Sequence, residues 1–173
     1  MITRRHLVFT GLLLATEAPL ARAEPTTADD PVAIMNAIYV RVAKGKGDGG
    51  GAFVWADKAG KAKYLSKSLA ALWVRADART KGNFVGPIDF DPVTNSQDAD
   101  VKSFKVETEK LDAGKALITV TLTGHTPRKY RADDAIHYAF VRDGSSWRID
   151  DIKGTVDAKP WSVRGLLNFA LKA

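Results

Sequence analysis

The chain has 173 residues, of which 45% are hydrophobic and 27% charged, the balance of one globular domain rather than of a disordered or fibrous chain. It contains no cysteine, which excludes a disulfide framework, a thiol nucleophile, a lipidated cysteine and a thiolate metal site. A formal net charge of +6 is too mild to argue for a nucleic-acid partner.

Residues 1–23 read as a cleaved export signal. Arg4 and Arg5 precede the apolar run Leu7–Leu14, and Ala21-Arg22-Ala23 fits a small-x-small cleavage site before Glu24. The run is short and is followed by Thr16 and Glu17, so it does not read as a bilayer-spanning helix. The expectation is a periplasmic or secreted protein with no stable membrane anchor after cleavage. "TRRHLVF" resembles the twin-arginine export motif but departs from it at Val8 and Phe9, which leaves general secretion open. Residues 24–30 are expected to be a disordered spacer and 31–173 a single domain.

Asp30 can cap a first helix, and Pro31 suits its first position because the missing N–H had no partner to lose. Ile34, Met35, Ile38, Tyr39 and Val42 give that helix an apolar stripe, and Gly45 and Gly47 end it. "KGKGDGGG" lacks the Ser or Thr after a lysine that a phosphate-cradling loop requires, so it reads as a flexible connector. The periodicity of Leu65, Leu69, Leu72, Trp73 and Ala76 predicts a second helix over Ala62–Arg79. Lys58, Lys61, Lys63 and Lys67 cluster around its start, and Asp89, Asp91, Asp98 and Asp100 cluster further on. Both clusters read as solvated segments.

Four strands are expected at Val101–Leu111, Ala116–Gly124, Ala135–Arg142 and Ser146–Lys153, with turn signals at Asp112-Ala113-Gly114 and Asp143-Gly144. A short amphipathic helix capped by Ser162 closes the chain. Helices first and an antiparallel meander afterwards predict an α+β fold with the helices packed on one face of the sheet. Alternation assigns Phe104, Val106, Ile118, Val120, Ile136, Tyr138, Phe140, Trp147 and Ile149 to the packed face. Thr119, His137, Arg148 and Asp150 fall on the wet one.

"SSWRIDDIKG" carries the one ambiguity with chemical weight. Straight alternation would bury Asp151 and expose Ile152. A bulge at Asp150-Asp151 would turn Ile152 inward and leave both carboxylates at the rim, and this is the expectation. The alternative is a buried Asp151 with a raised pKa, able to act as a general base. No metal site is expected: His125 and His137 stand apart, and "DFDPVTNSQDAD" fails calcium-loop spacing, which leaves Asp91, Asn95 and Asp98 for turn and capping bonds. No cofactor motif is present, and no Gly-x-Ser-x-Gly elbow.

"YAFVRDGSSWRIDDI", "NSQDADV", "IMNAIYVRV" and "SVRGLL" together resemble a bacterial family of small exported proteins of unknown function within the nuclear transport factor 2-like superfamily. The resemblance implies a curved antiparallel sheet wrapping helices into a cystatin-like cone, often with an open pocket, and implies no particular activity. Superfamily enzymes place an Asp base and hydrogen-bond donors in the cone. The corresponding candidates are Asp151, Tyr138, Tyr39 and Trp73, with plain core packing as the alternative for the three aromatics. Gln97, Asp98 and Trp147 join them as candidate ligand-binding residues because they stand in the stretches that carry the resemblance. The resulting expectation is a soluble binding module that holds a small molecule in the cone or docks a protein partner. Two alternatives are a cofactor-independent isomerase- or dehydratase-type enzyme with Asp151 as base, and a protein inhibitor or immunity-type protein.

Overall fold

The computed structural model describes residues 30–45, 50–80, 82 and 86–172. The export signal, most of the spacer and Gly47 with the centre of the glycine run lie outside these residues.

Helix α1 (Pro31–Ala43) begins as its sequence dictates. The Asp30 carboxylate accepts from the Val32 N–H at 2.9 Å, Pro31 opens the helix, and Ile34, Met35, Ile38, Tyr39 and Val42 are buried. A one-turn helix α2 (Ala52–Trp55) follows. The single helix expected over Ala62–Arg79 is two, α3 (Lys58–Tyr64) and α4 (Lys67–Arg79), broken at Leu65-Ser66. Leu65 is extended, buried and bridged to Ile149, and the Ser66 N–H donates to Ile149 O at 2.8 Å. The Ser66 hydroxyl then caps α4 by accepting from Leu69 N at 3.0 Å. A sheet contact and a cap therefore override a helical stripe that runs unbroken in sequence.

The sheet has strand order β1-β2-β3-β4-β5 and is antiparallel throughout: β1 Ser103–Leu111, β2 Lys115–Thr123, β3 Ala135–Asp143, β4 Ser146–Val156 and β5 Lys159–Ser162. It is open, with β1 and β5 as edges. Gly144, at φ +67°, makes the tight β3–β4 turn. The fifth strand was not expected; it follows a turn whose two central residues, Asp157 and Ala158, hold positive φ without glycine. Helix α5 (Val163–Ala170) closes the fold, capped by Ser162 through the Gly165 N–H at 2.9 Å.

The helices pack on the sheet face that alternation identifies. Ile118, Val120, Ile136, Tyr138, Phe140, Trp147, Ile149 and Ile152 meet Met35, Tyr39, Leu69, Trp73 and Leu167 in one core. Burying a large apolar side chain contributes about 1.5–3 kcal/mol, so this layer carries the fold's stability. Among the described residues, no helix is long and apolar enough to cross a membrane.

Candidate functional site

The seven residues singled out from sequence do not converge. Tyr39 and Tyr138 meet at the centre of the core, both 0% exposed, with hydroxyl oxygens 2.7 Å apart and rings edge-on. Tyr39 donates its one proton to Val93 O at 2.6 Å, so Tyr138 donates to Tyr39. Burial pushes both phenols well above their ordinary range, which keeps the pair neutral. Trp73 stacks on Trp55 at 5.4 Å, and the Arg142 guanidinium lies 4.6 Å from the Trp147 ring. Gln97 and Asp98 are exposed on the loop that precedes β1.

The bulge in β4 is present: Ala139 faces Asp151 and Phe140 faces Ile149, which makes Asp150 the extra residue and returns Ile152 to the core opposite Tyr138. The two carboxylates do not share the rim. Asp150 is half-buried and accepts from Arg164 Nη2 at 2.5 Å and from the Ser66 hydroxyl at 2.6 Å. Arg164 also donates from Nε to Asp150 O at 2.6 Å and from Nη2 to the Ser68 hydroxyl at 3.1 Å. Asp151, 7% exposed, accepts from Ile152 N and from Arg164 N, each at 3.0 Å. Its burial raises its pKa; the two backbone N–H donors and Lys153, 3.9 Å away, oppose the rise without cancelling it. Asp151 was expected at the rim because the bulge was read without α5, whose first turn covers it.

The oxygen-rich segment before β1 is occupied by its own donors. Asp91 accepts from Gly51 N at 2.6 Å, Trp55 Nε1 at 2.9 Å, Val93 N at 2.9 Å and Thr94 Oγ1 at 3.0 Å. Asn95 donates to Asp133 O and Thr155 O at 2.9 and 2.7 Å and accepts from Trp161 Nε1 at 3.0 Å. Asp91 makes the local turn bonds expected of it, to Val93 and Thr94, whereas Asn95 bonds to segments distant in sequence rather than within its own turn. Among the described residues, no group of three or more acidic or histidine side chains is placed to hold a metal ion.

On the other face of the sheet a bulge in β1 inserts Glu109 beside Thr119 and His137. Thr119 Oγ1 donates to Glu109 Oε1 and lies 2.7 Å from His137 Nδ1, which is 3.1 Å from the same carboxylate oxygen. The Thr119 proton is committed to Glu109, so a neutral His137 carries its proton on Nδ1. Glu109 and His137 are part-exposed there, while Thr119, expected on the wet face, is buried between them.

Gln97 and Asp98 each line a smaller cleft, of about 510 and 360 Å³, and a larger one lies between α3, α4 and the β3–β4 hairpin. A cleft of about 950 Å³ opens there, within the range of small-molecule sites. Helices α3 and α4 form a hairpin, held where Lys61 Nζ meets Asp77 Oδ2 at 3.0 Å. Its floor is apolar, made by Ala62, Leu65, Ala70, Ala71 and Val74, the last 58% exposed. Its walls are cationic: Lys58, Lys61 and Lys67 from the helices, Arg75 one turn before the end of α4, and Arg148 from β4. Asp143 in the hairpin accepts from the Lys67 N–H at 2.7 Å and stands 3.4 Å from Lys67 Nζ. That N–H, then the Lys67 ammonium and Arg148, hold the Asp143 carboxyl below its usual range. None of the seven sequence candidates lines this cleft. The signal for it was the run of lysines at 58, 61 and 67, three of the four cations read as a solvated segment. Compared with known proteins, the chain matches no family model, no curated protein and no solved structure.

Proposed function

We propose that this chain is an exported, soluble binding module of the nuclear transport factor 2-like type, and that it holds a small molecule in the cleft between α3, α4 and the β3–β4 hairpin. The observation that carries this is an apolar floor, partly open to solvent, ringed by more cations than the nearby Asp143 and Asp77 neutralise. An exposed apolar surface framed by like charges costs solvation and self-repulsion, and a bound ligand relieves both. The superfamily reading draws on the order of elements, helices before an open antiparallel meander, and on the sequence resemblance. The export reading draws on residues 1–23. The one contact from an aromatic candidate to a cleft cation is that of Trp73, whose ring lies 5.4 Å from the Lys61 ammonium.

The enzyme reading has one observation in its favour, the burial and raised pKa of Asp151. Its Oδ1, however, is committed to the first turn of α5 and to Ile152. A structural anchor accounts for both properties.

Native mass spectrometry of the protein purified from its own secretory compartment tests the binding reading. The expected spectrum shows a retained small molecule that is lost in Ala71→Trp, a substitution that fills the floor. A retained mass unchanged by Ala71→Trp would place the ligand elsewhere.

A further inference from the structure

The cleft's charges are unequally engaged. At the Lys67 end Asp143 already supplies a carboxylate, held by the Lys67 N–H and flanked by Lys67 and Arg148. Lys61 is paired with Asp77. The side chains of Lys58 and Arg75 have no hydrogen-bond or ion-pair partner among the described residues, yet both line the cleft. Between the two ends runs the apolar stripe. Its α4 members and flanking cations fall at Lys67, Ala70, Ala71, Val74 and Arg75, one side of the helix over a little more than two turns. At 1.5 Å per residue this side is about 12 Å long.

Resting on the cleft as the binding site, we infer that its ligand class is the single-chain amphipathic anion: a carboxylate, sulfate or phosphate head seated between Lys58 and Arg75, and an apolar body laid along Ala71 and Val74 toward Leu65. Two unpaired cations facing one space gain a partner when an anionic head enters, and Arg75 offers the forked geometry that carboxylates and phosphates match. A cation is rejected by the same charges, and a neutral chain leaves them unpaired. The site suits a monomeric amphiphile rather than a lipid surface. Helices that lie in a bilayer interface insert Trp, Phe or Leu, whereas this floor is mostly alanine, set among long basic side chains.

Isothermal titration calorimetry with decanoate, 1-decanol and decyltrimethylammonium, each below its aggregation threshold, tests the inference, with circular dichroism to verify folding of every variant. Decanoate should bind one to one, more tightly than decanol, and the cation should not bind. The double reversal Lys58→Glu/Arg75→Glu should weaken decanoate by about tenfold or more, while Lys105→Glu/Lys110→Glu on β1 leaves it unchanged. Asp143→Asn raises the net positive charge of the cleft from its opposite end and should tighten decanoate binding. Equal affinities for decanoate and decanol, or indifference to the double reversal, would overturn the assignment of an anion while leaving the cleft as the site. Binding of every probe unaffected by Ala71→Trp would instead overturn the cleft itself. Co-sedimentation with phosphatidylglycerol vesicles in place of monomer binding would overturn the commitment to a monomeric amphiphile.

Discussion

Asp151 shows how one carboxylate can resemble a catalytic base and act as a fastener. Its neighbours Trp147, Ile149 and Ile152 are in the core, and α5 lies over it, so the charge is partly removed from water. The two N–H donors on Oδ1 give back less than burial takes, and the pKa is raised. The sign of the linkage follows. A carboxyl whose folded pKa lies above its unfolded value contributes its stability below the unfolded pKa, near 3.8, and loses it as pH rises through the folded pKa. Asp151→Asn keeps an oxygen for both N–H groups and removes the charge. The variant should therefore be more stable than the parent at pH 7, with the advantage vanishing below about pH 3.8. Urea unfolding at pH 3 and pH 7 measures it. A loss of stability at pH 7 would mean that the charge anchors α5 more strongly than burial opposes it.

At the level of elements, legibility followed locality. Helix α1 and strands β2, β3 and β4 were readable because cap, stripe and alternation agree within a few residues of one another. The break at Leu65-Ser66 was not, because Leu65 stands four residues before Leu69 on the same helical stripe. Only Ile149, distant in sequence, pulls it out of the helix. Strand β5 was hidden for a similar reason. Its turn uses Asp157 and Ala158 at positive φ, a conformation that local rules assign to glycine or asparagine. The compensation comes from Asp133, whose carboxylate accepts from Asp157 N at 3.1 Å, Ala158 N at 3.2 Å and Thr155 Oγ1 at 2.7 Å. Ala158 consequently holds strain that a glycine would not. Ala158→Gly should stabilise the fold by up to about 1 kcal/mol, measured by thermal or denaturant unfolding, against the usual cost of introducing glycine. A destabilised variant would show that the unfolded chain's added freedom outweighs the strain relieved.

For the whole molecule, the ends of β4 mark two different surfaces. Its eleven residues run about 35 Å from the hairpin beside the cationic cleft to the turn held by Asp133. At that far end a second cleft mixes Asp98, Asp100, Asp133 and Asp157 with Arg128 and Lys129. An excess of positive charge over an apolar floor is found at the near end, where five cations face the single carboxylate of Asp143, which is why ligand binding is assigned there. The site was not legible as a site because it is assembled from three segments: the start of α3, one side of α4, and the β3–β4 hairpin. Each contributes residues that look solvated when read alone. The tyrosine pair and the tryptophans drew attention through their chemistry and proved to be the core against which those segments pack. Amide chemical-shift mapping on titration with decanoate tests this account most directly. Perturbations confined to residues 58–62 and 67–75, with Asp143 and Arg148, are the predicted result. Perturbations centred on Tyr39 and Tyr138, or on Gln97 and Asp98, with the cleft silent, would contradict it.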